Sequence, residues 1–136
     1  MSKTGNMISG IEKYFADSFR KMASQAGIED ISLWIRSLDG PPQSMQAYPV
    51  CMIQAMSRDC SDHYYDDYRI AVAIALRGDD PEELEELGHT WEDIVKDAIN
   101  EDRTLGDTVI STESLRIDSS FVSGMYMIWA EMICSA

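Results

Sequence analysis

The densest collection of side chains able to do chemistry is "RDCSDHYYDD", Arg58 to Asp67, which places Asp59, Cys60, Asp62, His63, Asp66 and Asp67 close together in the chain. Carboxylate, thiolate and imidazole all bind metals. Their spacing matches neither the paired Cys and His pattern of a zinc site nor a twelve-residue calcium loop with its central glycine and terminal glutamate. The stretch therefore reads as a solvated hairpin tip, and no metal is expected there. Nucleophilic catalysis would require a Ser or Cys delivered to a base beside an oxyanion-stabilising group. The two histidines, His63 and His89, lie in no such motif, and His89, between Gly88 and Trp91, is expected to be a partly packed helical residue. Acidic pairs recur throughout the chain and single out no glycosidase-like acid and base. No glycine-rich phosphate loop is present in the sequence. The residues argue for no enzyme and no cofactor.

The elements that would carry these residues are legible from periodicity. Ile8, Ile11, Tyr14, Phe15, Phe19, Met22 and Ala26 recur at three- and four-residue steps, which predicts an amphipathic helix from Met7 to about Ala26, with Gly27 as its stop. "ISLWIRSL" reads as a strand and "DGPPQS", Asp39 to Ser44, as a turn or loop, because Pro41 and Pro42 lack amide donors. "YPVCMIQAM" and "YRIAVAIAL" read as a hairpin closed by the acidic tip. In its second strand Tyr68, Ile70, Val72, Ile74 and Leu76 share one side, and Ala71, Ala73 and Ala75 share the other. The bulky side is expected beneath helices. The alanine side suits either packing within the chain or close approach by a flat neighbour.

A second helix has a readable start: Asp80 as cap, Pro81 in the first turn and Glu83 completing a capping box. Leu84, Leu87, Trp91, Ile94, Val95, Ala98 and Ile99 form its apolar stripe, and burying each larger member contributes about 1.5–3 kcal/mol before conformational entropy is subtracted. After Gly106 the period becomes two, with Val109, Ser111, Glu113, Leu115 and Ile117 opposing Thr108, Ile110, Thr112, Ser114 and Arg116. Asp118 to Ser120 reads as the connection to a last strand, "FVSGMYMIWAEMICSA", apolar on both sides and so central in a sheet or covered by a partner. Met52, Met56, Met125, Met127 and Met132 fall on these strands, as flexible core or as an adaptable contact surface. The predicted fold is α+β: a mainly antiparallel sheet of about five strands with two helices on one face, in the order α-β-β-β-α-β-β, forming one domain over residues 1–136.

Composition narrows the function. With 24 Asp and Glu against 11 Lys and Arg, the formal charge is -13. That surface repels nucleic-acid phosphates, so sequence-reading of DNA is not expected. Eleven of the carboxylates lie between Asp79 and Asp102, where Lys96 is the sole basic residue. No run of about 18 apolar residues is present and "MSKTGNMISG" lacks the apolar stretch of a secretory signal, so neither a membrane span nor secretion is expected, and three cysteines without close pairing fit a reducing compartment.

From Tyr48 to Ala136 the chain resembles the tail-terminator and tail-completion proteins of tailed bacteriophages. The resemblance rests on a long strand, an acidic amphipathic helix, the exit "D-x-T-L-G" at Asp102 to Gly106, and a closing strand pair. It departs at Asp107, where many family sequences carry a second glycine. The resemblance implies a structural virion protein assembled in the host cytoplasm. Such a protein forms a ring, usually a hexamer, that ends polymerisation of the tail tube protein and receives a head-connector or stopper protein. DNA passes through without sequence-specific contact. On this reading Arg58, Asp59, Asp62, His63, Tyr64 and Tyr65 are the expected partner-binding residues, and Ala71, Ala73 and Ala75 contribute to the oligomer interface. Two alternatives are an acidic DNA-mimic inhibitor of a nucleic-acid-binding protein and a small enzyme with a pocket on the sheet floor.

Overall fold

The computed structural model describes residues 2–36, 47–61 and 64–136. The expected turn at residues 39–44, with Asp62 and His63 of the hairpin tip, lies outside the described residues. The elements are α1 (Lys3–Ala26), β1 (Leu33–Ile35), β2 (Val50–Asp59), β3 (Asp67–Leu76), α2 (Pro81–Glu101), β4 (Ser111–Val122) and β5 (Met125–Ser135). They form one five-stranded sheet in the order β1-β2-β3-β5-β4. β1 runs parallel to β2 and the other three pairings are antiparallel, so the sheet is mixed. The predicted α+β order is the observed one.

α1 begins four residues before the periodicity suggests. The Ser2 hydroxyl accepts from the Gly5 amide and supplies the missing helix cap. Gly27, at φ 72°, ends the helix in the left-handed conformation that glycine adopts without steric cost. Asp80 caps α2 by accepting from the Glu82 amide, and Pro81 occupies the first turn. The apolar stripes of both helices pack on the bulky side of β3, joined there by Cys51 and Ile53 of β2 and by Tyr126, Ile128, Ala130, Met132 and Cys134 of β5. Aromatic rings tie the layers together. Phe19 stacks on Trp34 and meets the edge of Trp91 at 5.6 Å. The Trp91 Nε1 is buried without a hydrogen-bond partner among the described residues, a cost of about 1–3 kcal/mol set against burial of the whole ring.

Three sequence expectations are corrected. The first strand is only Leu33–Ile35. Asp118, Ser119 and Ser120 are not a turn: β4 runs through them, paired with Trp129, Ile128 and Met127, and the reversal falls at Ser123 and Gly124, with φ 50° and 79°. Two successive positive φ values are the geometry of a tight type I′ hairpin, and the polar residues upstream stay in the strand because Ser119 finds partners there. Its hydroxyl donates to a Glu92 carboxylate oxygen and accepts from the Tyr126 hydroxyl at 3.0 Å. The strict alternation expected from Thr108 to Ile117 also breaks. A bulge between Glu113 and Arg116, with Ser114 at φ 56°, lets Thr112 face the core together with Leu115 and Ile117.

The link from α2 to β4 follows from Asp102. Its carboxylate accepts from the Thr104 amide and hydroxyl and from the Gly106 amide, folding the chain back so that Leu105 is fully buried. Leu105, Gly106 and Asp107 all have positive φ, of 49°, 71° and 62°. Close packing also fixes Gly88 on α2, where an added Cβ would lie 2.1 Å from the Tyr126 ring. Alanine normally stabilises a helix relative to glycine. Here Gly88→Ala is expected to destabilise the protein by about 1–3 kcal/mol through overpacking, read as a fall of several degrees in Tm. An unchanged or raised Tm would refute the close contact between α2 and β5.

Candidate functional site

Two surfaces merit description as contact sites: the hairpin end between β2 and β3, and the sheet face opposite the helices. At the hairpin end, Arg58 grips Asp66 through Nε at 2.9 Å and Nη2 at 2.5 Å, and its guanidinium lies 5.3 Å from the Tyr68 ring centroid. Lys3 of α1 approaches the same carboxylate at 3.5 Å. The hydrogen bond from Arg58 holds the Asp66 carboxyl below the usual carboxylate range, against the opposing effect of desolvation, with further help from the charges of Arg58 and Lys3. Asp59 is also held low, because its Oδ1 accepts from the Ser61 hydroxyl and amide. Asp67 accepts from the Ser135 hydroxyl at 2.7 Å. These acids are thus committed to local hydrogen bonds, and no group of three or more His, Cys, Asp or Glu side chains converges as a metal site among the described residues. Of the expected partner-binding residues, Arg58, Asp59, Tyr64 and Tyr65 do share this end of the molecule, and Tyr64 is 92% exposed.

The second surface is built from alternation. Ala73 sits between its sheet neighbours Met52 and Trp129, and Ala75 between Val50 and Met127. Small residues on the central strand leave room for large ones beside them, giving an apolar cluster of Val50, Met52, Ala73 and Ala75, with Leu33, Ile35, Tyr48, Met125, Met127 and Trp129 packed against it. Ala71, Ala73 and Ala75 are themselves fully buried within the chain. What this face offers a neighbour is therefore the half-buried rim of Met125, Met127, Trp129 and Ile133, which their alanines support. Sequence reading located the alanines but not this rim, since only the register shows which side chains flank them.

A polar chain not foreseen from sequence runs from Tyr126 through Ser119 to Glu92, whose other oxygen lies 3.3 Å from His89 Nδ1. His89 is exposed between Glu85 and Glu92, not packed as expected, because it falls on the solvent side of the helical stripe. Ser119 donates to a carboxylate and not to the imidazole, so its hydroxyl is not the serine–histidine couple of a nucleophile. Burial disfavours the thiolate form of the two buried cysteines. Desolvation pushes Cys134 up to about 11 and Cys51 well above its ordinary value.

No family model matches the chain, and no curated protein matches it. Among solved structures it is similar to a chain of the virion of a native gene transfer agent particle, at 10% identity and a TM-score of 0.38 over 89% of this chain and 90% of that one. A score at that level establishes neither a common fold nor a common role.

The Arg58–Asp66 pair yields a pH test. A carboxyl lowered by folding contributes stability that is present above its unfolded value, about 3.9, and lost as pH falls through the folded value. In Arg58→Ala, the Asp66 carboxyl is expected to titrate at higher pH by NMR, and acid unfolding to begin at higher pH. Asp102, held low by hydrogen bonds from Thr104 and Gly106, should stay where it is and serves as the internal control. Equal titration of Asp66 in both proteins would remove the Arg58 contact as the cause.

Proposed function

We propose that this protein is a structural virion component that caps the head-proximal end of a phage tail tube as a homo-oligomeric ring. In this role it ends polymerisation of the tube protein and presents a docking surface to a head-connector or stopper protein. The observation that carries the reading is the layer arrangement. Two helices cover one face of the sheet, while the opposite face gathers an apolar cluster edged by half-buried Met125, Met127 and Trp129. Among the described residues, β2 beyond Met52 pairs only with β3, and β4 only with β5, so both sides of the sheet also end in strands with a single neighbour. Such surfaces suit contact with other proteins.

The resemblance over Tyr48 to Ala136 supplies the identity of the assembly. The acidic balance is consistent with a conduit: carboxylates near a passage repel phosphates and keep DNA from adhering. The hairpin end, with Tyr64 exposed beside the Arg58–Asp66 pair, serves as the contact with tube or connector. A second reading, an acidic DNA mimic, is favoured by the run of exposed carboxylates on α2. It differs in predicting tight, steeply salt-sensitive binding to a basic protein.

The test is native mass spectrometry and electron microscopy of the purified protein mixed with tail tubes. A ring of defined stoichiometry at one tube end is expected, and tubes left uncapped would sink the proposal. Trp129→Arg should remain folded by circular dichroism yet fail to form the ring. Tyr64→Ala should leave unfolding free energy within about 0.5 kcal/mol, as for ordinary surface substitutions, form the ring, and lose joining to heads.

A further inference from the structure

α2 carries a second signal on its polar side. Glu82, Glu85, His89, Glu92, Lys96 and Asn100 succeed one another at three- and four-residue steps and so share a face of the helix. Along that face the sign of charge changes. Carboxylates occupy it as far as Glu92, whereas Lys96, and Arg103 just past the helix end, are basic.

The basic end borders a pocket of about 410 Å³ between α2 and β4, lined by Lys96, Asn100, Arg103, Ser114, Leu115 and Ile117. Its polar lining is rich in donors. Arg103 Nη1 donates to the Thr112 carbonyl at 2.7 Å and Nη2 to Asn100 Oδ1 at 2.8 Å, which fixes the guanidinium and leaves the Asn100 amide to present N–H groups. Lys96 makes no ion pair or hydrogen bond among the described residues, despite the acidic helix around it. Ser114 reaches the pocket because the β4 bulge places it at φ 56°. Lys96, Asn100, Arg103 and Ser114 thus line one pocket with side chains able to donate to a carboxylate, in a chain of charge -13.

We propose that this pocket binds the carboxylates at the start of α2 of a second copy of the chain, making a head-to-tail contact between subunits. Asp79, Asp80, Glu82, Glu83, Glu85 and Glu86 are all exposed and lie at the opposite end of the same helix from the pocket. Two copies meeting this way place acid against base and the positive end of one helix dipole near the negative end of the next. A contact joining different patches of identical chains repeats from copy to copy and closes as a ring or continues as a filament. The inference rests on the ring reading and specifies which surfaces of α2 and β4 meet in it. Because the groups are solvent-accessible, the contact weakens as salt screens it beyond about 8 Å at 0.15 M ionic strength.

The experiment is sedimentation equilibrium of the full chain at 50 and 500 mM NaCl, paired with electron microscopy of tail tubes mixed with the same proteins. Wild type is expected to associate more strongly at low salt. Lys96→Glu, with Lys96→Ala as the variant held in reserve against misfolding, should weaken association at least tenfold and leave tube ends bare without change in Tm. Adding Glu85→Lys and Glu86→Lys to Lys96→Glu should restore both. If Lys96→Glu and Lys96→Ala assemble and cap tubes like wild type, the pocket contact is wrong while the ring stands. Salt-sensitive association that depends on Lys96 but never caps tubes would instead keep the contact and remove the ring's role. Inorganic phosphate or acetate that raises Tm at millimolar concentration without competing with assembly would make the pocket a small-anion site and overturn the subunit contact.

Discussion

The unequal two sides of β3 constrain everything else in this molecule. Tyr68, Ile70, Val72, Ile74 and Leu76 project on one side of a strand whose other side carries Ala71, Ala73 and Ala75. The bulky side has to be covered by long apolar stripes, and α1 and α2 supply them. The small side cannot fill a second layer alone, so methionines and tryptophan from β2 and β5 lean over it. Helices on the alanine side would leave voids under their stripes, and protein interiors leave few voids larger than a water molecule.

That asymmetry divides labour between the layers. Stability is concentrated where aromatic rings of α1 and α2 interlock, with Phe15, Phe19 and Trp91 fully buried, and where Gly88 lets Tyr126 reach across to Ser119 and Glu92. The other face and the strand margins are less committed to the chain itself. Met125, Met127 and Trp129 keep part of their apolar surface in solvent, a state that association with another protein relieves. Met adds tolerance, since its unbranched thioether adapts to more than one packing arrangement.

Charge works against association at long range and for it locally. A net charge of -13 opposes the approach of two copies at long range. Much of the basic complement is occupied within the chain: Arg58 and Lys3 on Asp66, Arg36 on Glu12, Arg116 on Asp118. Against that background Lys96 stands out as a cation with no ion pair or hydrogen bond among the described residues, beside Arg103, whose guanidinium is held by the carbonyl oxygens of Thr112 and Asn100 and not by a carboxylate.

The helices, the layer order and the side of β3 that faces the core are legible in the residues alone. Each of these depends on residue spacing within one element, such as the stripe from Leu84 to Ile99 or the cap at Asp80. Gly106 marks the reversal after α2 in the sequence, whereas the Asp102 carboxylate that accepts from the Thr104 and Gly106 amides is seen only in the structure. The remaining features depend on contacts between distant segments. Asp118 to Ser120 resemble a turn until Glu92 and Tyr126, from elsewhere in the chain, satisfy Ser119. The bulge at Ser114 becomes visible only in the register against β5, and the exposed rim around the alanines only once β2 and β5 lie on either side of β3. The same holds for the donor-lined pocket, whose residues are separated in the chain and meet because α2 ends over the bulged stretch of β4. Periodicity reports what one segment presents, whereas a surface shared by several segments is set by the packing between them.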